Sequence, residues 1–187
     1  MIMLYHVSST PGIKVLEPRE STHKKPYVYA IENLVTGLLF GVKHDDFDFC
    51  ISTDENGKPH VYECYPQALE IIYAGKSCSV YEVAEDGFLR GMTSWNVELV
   101  SENAVPVERE VFVPDLYSRL AEEQAAGNLE IHRFSEEPEY KKMIAGHIVD
   151  RLIRFNALEY MAESSRGQKY FKGLIEGLKS VMDGHLL

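Results

Sequence analysis

The sequence predicts an α+β protein whose strands pair antiparallel and whose chain ends in a helical hairpin. Short apolar and aromatic runs separated by turn residues recur over residues 3–134, a spacing typical of antiparallel sheets. Asn56-Gly57 stands between two such runs, where it favours the backbone angles of a hairpin turn. After residue 135 the apolar residues recur at helical spacing. The 187 residues, 45% of them hydrophobic, suffice for a core of ordinary size.

The strand and helix predictions follow from these runs and from the residues that end them. Met3–Val7 is apolar and aromatic before a Ser-Ser-Thr-Pro-Gly turn, so His6 lies near the end of a short strand. Tyr27–Ala30 strongly favours a second strand. Further strands are predicted over residues 13–16, 47–53, 58–64, 78–83, 97–100, 105–107 and 129–134. Helices are predicted over residues 32–42, 66–73 and 113–124, the last two beginning beside a proline.

A change of composition near Glu136 predicts a mixed domain over residues 1–135 and a helical hairpin over residues 136–187. One apolar stripe runs from Ile144 to Leu158, and a second runs from Phe171 to Val181 after a polar break. Three roles for this hairpin stay open: it covers the sheet, forms a homo-oligomer interface or binds a partner protein.

Charge and cysteine content narrow the class of protein. A formal net charge of −10 opposes binding to nucleic acid, because phosphate binding needs clustered Lys and Arg. Cys50, Cys64 and Cys78 form no C-x-x-C pair and no leader precedes them, which is typical of a reduced, cytoplasmic protein. No apolar run approaches the roughly 20 residues of a membrane span. We therefore expect a cytoplasmic protein with neither nucleic-acid nor membrane partners.

One acidic segment has the residue types of a metal site. It is His44-Asp45-Asp46, followed closely by Asp48. Carboxylates this close together in a loop more often form a solvated surface than a cation site. We expect no bound metal there.

Three residues on predicted strands point to a chemistry through their order: His6, then Tyr29, then Glu98. This arrangement resembles the ADP-ribosyltransferase superfamily, and within it the chain is similar to the small bacterial rifampicin ADP-ribosyltransferases. The similarity covers roughly residues 3–133. The segments that carry it are Tyr5-His6-Val7-Ser8, Leu16-Glu17-Pro18-Arg19, Tyr27-Val28-Tyr29, Val80-Tyr81-Glu82-Val83 and Val100-Ser101-Glu102-Asn103-Ala104-Val105.

The resemblance implies a fold of split, bent antiparallel β-sheets with flanking helices, in which NAD is the co-substrate and lies between the sheets. It implies a transferase of the glycosyltransferase class, which passes ADP-ribose from NAD to an unknown small molecule or protein. His6 would bind a ribose hydroxyl, Tyr29 would stack on the nicotinamide, and Glu98 would accept a hydrogen bond from the nicotinamide ribose. The residues implied to bind NAD are His6, Val7, Ser8, Arg19, Tyr27 and Tyr29, with Lys24 and Lys25 near the pyrophosphate.

Two features of the motif leave alternatives open. Glu98 matches the glutamate-led strand of the polymerase branch, whereas the rifampicin branch uses an acidic loop residue, for which Glu85 and Asp86 are the candidates. Val7 also stands where the family usually has glycine, and its branched side chain fills space that glycine leaves open.

The alternatives extend to function. Without the resemblance, His6 would be interpreted as an ordinary sheet histidine. Tyr27 and Tyr29 would be interpreted as aromatic residues that pack on a half-buried sheet. A second hypothesis is a non-catalytic binding or interaction module that retains the fold. A third is an RNA 2′-phosphotransferase, although that branch has histidine at the position of Tyr29 and uses basic residues to bind phosphates, whereas this chain is strongly acidic.

Overall fold

The computed structural model describes residues 2–20, 25–93 and 95–183, and it confirms an α+β protein with antiparallel sheets. The strands are β1 Met3–Ser8, β2 Val15–Leu16, β3 Arg19–Glu20, β4 Pro26–Ile31, β5 Phe49–Thr53, β6 Pro59–Glu63, β7 Cys78–Ala84, β8 Leu89–Arg90, β9 Glu98–Ser101, β10 Val105–Pro106, β11 Arg109–Val113 and β12 Glu130–His132. The α-helices are α1 Leu34–Leu38, α2 Ala68–Tyr73, α3 Leu116–Ala125, α4 Pro138–Arg154, α5 Leu158–Glu163 and α6 Lys172–Met182.

The largest sheet has seven strands: six in the order β11-β7-β1-β4-β9-β8, and β3, which pairs with β4 outside this order. The ladder between β1 and β7 is long, running from Met3 opposite Ala84 to Ser8 opposite Ser79. The register between β1 and β4 is a single pair, Tyr5 with Ile31. The residues that follow Tyr5 on β1 therefore lie where the two central strands diverge.

Two smaller sheets complete the strand pairing, with the orders β10-β2 and β12-β6-β5. The predicted hairpin between β5 and β6 is present, but its turn differs from the prediction. Gly57 has a φ of +80°, whereas Asn56 is not among the described residues with positive φ. The Asp54 side chain instead accepts hydrogen bonds from the backbone N–H groups of Asn56 and Lys58, both at 2.9 Å. One left-handed glycine therefore suffices, since Asp54 supports the rest of the turn.

The chain forms two compact units. The first unit contains the described residues up to His44 together with Ser52–His60 and Leu69–Glu130; the second contains Asp45–Ile51, Val61–Ala68 and the described residues from Ile131 onward. A core of the first unit comprises Leu4, Leu16, Val28, Ala30, Tyr81, Val83, Leu99 and Val105. The core of the second comprises Phe47, Cys64, Tyr65, Ala68, Ile144, Ile148, Leu152, Met161, Phe171 and Ile175. The domain boundary near Glu136 stays a prediction.

The C-terminal helices differ in detail from a simple hairpin. Helix α4 ends at Arg154, and Asn156 follows with a φ of +50°. The short helix α5 and a π-helical turn over Gly167–Phe171 then precede α6. The apolar stripe that predicted one helix through Leu158 is thus divided at Asn156, because a left-handed residue cannot continue the helix. No helix within residues 2–20, 25–93 and 95–183 is long and apolar enough to cross a membrane.

Other differences concern short elements. The helix predicted over residues 32–42 is confined to α1, where the Asn33 side chain caps it by accepting from the N–H of Thr36 at 3.0 Å. Strands β3, β8 and β11 were not predicted. Strand β11 begins with Arg109 and Glu110, and pairing with β7 over five residues sets its conformation. Such long-range pairing leaves little local signal in a sequence.

Candidate functional site

The three residues of the sequence motif lie on neighbouring strands of the seven-stranded sheet. His6 is on β1, Tyr29 is on β4, and Glu98 is the first residue of β9. Ile31 is opposite Tyr5 on one side and opposite Glu98 on the other, so these three residues form one cross-strand row. His6 directly follows this row on β1, where β1 and β4 diverge.

The side chain of His6 bridges the two diverging strands. Its Nδ1 lies 2.8 Å from the backbone carbonyl oxygen of Tyr29. Because a carbonyl oxygen only accepts, Nδ1 carries the hydrogen, and the neutral ring presents Nε2 as an acceptor. Burial lowers the pKa of His6, and the positive charge of Arg19 adds to this effect, while the hydrogen bond to Tyr29 opposes it. His6 is therefore a neutral hydrogen-bond acceptor at neutral pH.

A cleft with a volume of about 370 Å3 opens on one side of this bridge. Its lining includes six residues that the resemblance assigned to NAD binding: His6, Val7, Ser8, Arg19, Tyr27 and Tyr29. Clefts that hold small organic ligands typically enclose about 300–1,000 Å3, and this cleft lies within that range. We call it the Arg19 cleft.

A second cleft with a volume of about 210 Å3 is lined by Glu98, and we call it the Glu98 cleft. Its other walls are mostly apolar and aromatic: Tyr5, Val7, Tyr29, Ile31, Phe40 and Trp95. His6, Val7, Tyr29 and Phe40 line both clefts. The motif histidine, tyrosine and glutamate thus line one cleft, and two of them also line its neighbour.

The aromatic walls have defined contacts. The rings of Tyr27 and Tyr29 meet nearly at right angles, with centroids 5.9 Å apart. Burial raises the pKa of Tyr29, as do the nearby Glu98 and Tyr27. Phe40 and Trp95 pack with ring centroids 5.5 Å apart on another part of the Glu98 cleft. The rings of Tyr29, Phe40 and Trp95, which line the Glu98 cleft, offer flat surfaces to a planar ligand group.

The branched side chain of Val7 lines both clefts, and a glycine on helix α1 leaves room beside it. A Cβ added to Gly37 of α1 would lie 3.3 Å from Cγ2 of Val7 and 3.1 Å from Cγ2 of Ile31. Because Gly37 lacks a side chain, Val7 packs closely against the backbone of α1. Val7 on β1 thus lies beside a glycine of helix α1.

The cations around the Arg19 cleft differ partly from those predicted. Arg19 and Lys43 both line it. Lys25 does not; its Nζ lies 2.5 Å from a carboxylate oxygen of Glu102 and 5.2 Å from the ring centre of Tyr27. Lys24 lies outside the described residues. Lys43 was missed because it follows a predicted helix, and no local motif marks it.

The two reserve acids lie apart from the clefts. Of the residues that the structure describes around both clefts, neither Glu85 nor Asp86 contributes to a wall. A carboxylate oxygen of Glu85 lies 2.9 Å from the guanidinium of Arg90, which also lies 2.6 Å from Glu32. This placement favours Glu98 as the acid of the candidate site.

The acidic segment near Asp45 is not the solvated run that the sequence predicted. Asp48 is only 6% exposed; the Tyr65 hydroxyl donates to it at 2.7 Å, and Arg166 donates to it as well. Arg166 also donates to Asp45 at 2.6 Å. Within the described part of the chain, no group of three or more His, Cys, Asp and Glu side chains is arranged to hold a metal ion. The prediction of a solvated run is wrong at Asp48, because Arg166, which pairs with it, is far away in the sequence; the side chains of Asp45 and Asp46 remain 42% and 49% exposed.

Comparison of the chain with protein-family models, curated proteins and solved structures found no significant match.

Proposed function

We propose that this protein binds NAD across the Arg19 and Glu98 clefts and transfers ADP-ribose from it to an acceptor. The observation that carries the proposal is the shared wall: His6 and Tyr29 line both clefts, Glu98 lines one, and Arg19 lines the other. NAD has two ring-bearing halves joined by a diphosphate. Two adjoining clefts, one with Arg19 and Lys43 among its wall residues and the other with Glu98, suit such a molecule.

The diphosphate and the adenylate half belong to the Arg19 cleft in this proposal. Arg19 and Lys43 supply two positive charges at its walls. A guanidinium binds phosphate oxygens through paired hydrogen bonds, and an ammonium adds a point charge. Glu17 and Glu20 also line this cleft, so the two cations are balanced by two carboxylates, and we place the diphosphate in direct contact with Arg19 and Lys43.

The nicotinamide riboside half belongs to the Glu98 cleft. The ring of Tyr29 offers a stacking surface for nicotinamide, and Nε2 of the neutral His6 accepts a hydrogen bond from a ribose hydroxyl. Cleavage of the bond between ribose and nicotinamide develops positive charge on the sugar. A carboxylate held beside that charge lowers the barrier, and this is the role we assign to Glu98.

Glu98→Gln is the direct test of the catalytic part, with release of nicotinamide from NAD as the readout. In the basal reaction with water, the ribose–nitrogen bond breaks, a ribose–oxygen bond forms, and the proton of water passes to solvent. We expect kcat to fall about 100-fold and the KM for NAD to change little, because the amide keeps the shape of the side chain but lacks the charge.

Glu85→Gln is the matched control, since it makes the same change in an acid outside both clefts. We expect its turnover to stay within about two-fold of the wild type, because the Glu85–Arg90 pair is exposed and such pairs contribute little to stability. Equal turnover in the wild type and in Glu98→Gln would contradict the role of Glu98. A large loss in Glu85→Gln alone would transfer that role to Glu85.

The second candidate is a binding module that holds NAD without cleaving it, and Val7 is the observation that favours it. Val7 lines both clefts, so it occupies space beside the proposed nicotinamide position. This candidate predicts that NAD raises the melting temperature of the wild type and of Glu98→Gln equally, with no nicotinamide released by either.

A further inference from the structure

The carboxylate of Glu110 on β11 accepts hydrogen bonds from two separate parts of the first unit. The same oxygen of Glu110, Oε1, accepts from the backbone N–H of Gly12 at 2.8 Å and from the Ser79 hydroxyl at 2.8 Å. Ser79 is fully buried on β7, whereas Gly12 lies in the loop after β1. Glu110 therefore ties this loop to the sheet.

Tyr81 ties the same loop at two further points. Its hydroxyl donates to the carbonyl oxygen of Thr10 at 2.6 Å and accepts from the N–H of Ile13 at 3.2 Å. The hydroxyl oxygen also lies 3.3 Å from Oε1 of Glu110. Because the Tyr81 side chain is fully buried, its hydroxyl has a fixed position. Residues 9–13, which we call the β1 loop, are thus held by two side chains from neighbouring strands.

The β1 loop forms part of the candidate site. Ser9 and Ile13, at its two ends, line the Arg19 cleft together with His6. Tyr81 is also directly opposite His6 in the β1–β7 ladder, and the two rings lie 6.2 Å apart. Glu110 is opposite Tyr81 in the next ladder. One cross-strand row, Glu110 to Tyr81 to His6, therefore connects the anchored loop to the motif histidine.

We propose that Glu110 and Tyr81 are positioning residues that fix the β1 loop as a wall of the Arg19 cleft, and thereby set the affinity for the diphosphate and adenylate half of NAD. This inference rests on the proposed function, since it specifies how the same site holds its ligand. The two side chains act through the loop and do not line either cleft among the described residues. Their loss weakens binding more than the chemical step, because the reacting ribose belongs to the Glu98 cleft.

Tyr81→Phe tests the proposal with little change of volume, because it removes the hydroxyl and keeps the buried ring. We expect the KM for NAD to rise about ten-fold, which corresponds to about 1.4 kcal/mol, with kcat within about two-fold of the wild type. Glu110→Ala should raise KM similarly. Glu110→Gln should restore most of the affinity, since its amide oxygen still accepts from Gly12 and Ser79.

Tyr65→Phe is the matched control, because it removes a buried tyrosine hydroxyl that bonds a carboxylate of the second unit. We expect this variant to lose stability while its KM for NAD stays unchanged. An equal rise of KM in Tyr65→Phe and Tyr81→Phe, or an unchanged KM in Tyr81→Phe, would overturn the positioning role.

Amide hydrogen exchange separates a failure of this inference from a failure of the proposed function. The N–H of Ile13 should exchange about five- to ten-fold faster in Tyr81→Phe than in the wild type, because it loses its acceptor. An unchanged exchange rate would refute the anchoring, whatever the ligand. If the wild type neither binds nor cleaves NAD, the proposed function fails, and exchange at Ile13 still decides whether the loop is anchored.

Discussion

The two units of this chain differ in what their charged side chains face: those around Asp48 in the second unit face one another, whereas the motif residues His6 and Glu98 in the first face clefts. In the second unit, Arg166 pairs with both Asp45 and Asp48, and the Tyr65 hydroxyl donates a hydrogen bond to Asp48. In the first unit, His6 and Glu98 line clefts that are open to a ligand. Polar groups satisfied within the protein stabilise a particular packing, whereas polar groups on cleft walls can bind. We therefore expect changes in the second unit to alter stability, and changes at the clefts to alter ligand binding.

The largest effect on stability should come from Arg166→Met. It removes the positive charge beside Asp48, which is 6% exposed, and leaves that carboxylate buried without its cation. Breaking a buried ion pair from one side typically costs about 3–5 kcal/mol. Urea unfolding should show this loss, and the folded protein that remains should keep the wild-type KM for NAD.

Arg154→Met is the matched control, since the Arg154 side chain is 60% exposed and pairs with Asp150 on the same helix. We expect a change below about 1 kcal/mol, as for other surface pairs. Similar losses of unfolding free energy in the two variants would mean that the buried pair contributes no more to stability than a surface pair. A change of KM in Arg166→Met would contradict the expectation that changes in the second unit alter stability and not ligand binding.

A smaller effect should appear in the pH dependence of the protein's stability, to which one histidine of each unit contributes. Burial lowers the pKa of His6 in the first unit and of His147 in the second, whose Nε2 lies 2.7 Å from the carbonyl oxygen of Asp46. The unfolded chain then binds more protons than the folded one below a pH of about 6.5, so stability falls as the pH drops from there toward the lowered pKa values.

His147→Asn separates the two histidines. Thermal unfolding of this variant should lose stability less steeply with acid than the wild type does, because one of the two contributing groups is gone. NAD affinity should stay constant down to a pH below 6.5 and then fall as His6 becomes protonated, equally in both proteins. A shifted pH profile of NAD affinity in His147→Asn would show that protonation of His6 alone does not control NAD binding.

The sequence predicted the parts of the fold that carry their own local signal. The apolar and aromatic runs around Leu4, Tyr29 and Val83 each gave a strand, and the motif residues on them proved to line common clefts. Six of the predicted NAD-binding residues line the Arg19 cleft because they lie on strands β1, β3 and β4, whereas Lys25 pairs with Glu102 instead. Alternation along strands and turn residues are local properties, so one sequence suffices to identify them.

What the sequence did not predict depends on partners far along the chain. Glu110 looks like an ordinary surface acid until β11 pairs with β7 and brings it to Gly12. From its local sequence Asp48 is predicted to be solvated, but the fold brings Arg166 into an ion pair with it. Lys43 lines the Arg19 cleft without belonging to any motif. Tertiary pairing determines these roles, and neither composition nor periodicity encodes it.

Calorimetric titration with NAD tests the central claim most directly, using the wild type, Tyr29→Ala and Tyr160→Ala. Tyr160 is the control, because its side chain is 65% exposed on α5 of the second unit. We predict one NAD per chain for the wild type and for Tyr160→Ala with equal affinity, and a loss of roughly ten-fold or more in Tyr29→Ala, since stacking on an aromatic ring contributes about 1–3 kcal/mol. The absence of NAD binding by the wild type, or equal affinity in Tyr29→Ala, would contradict the account.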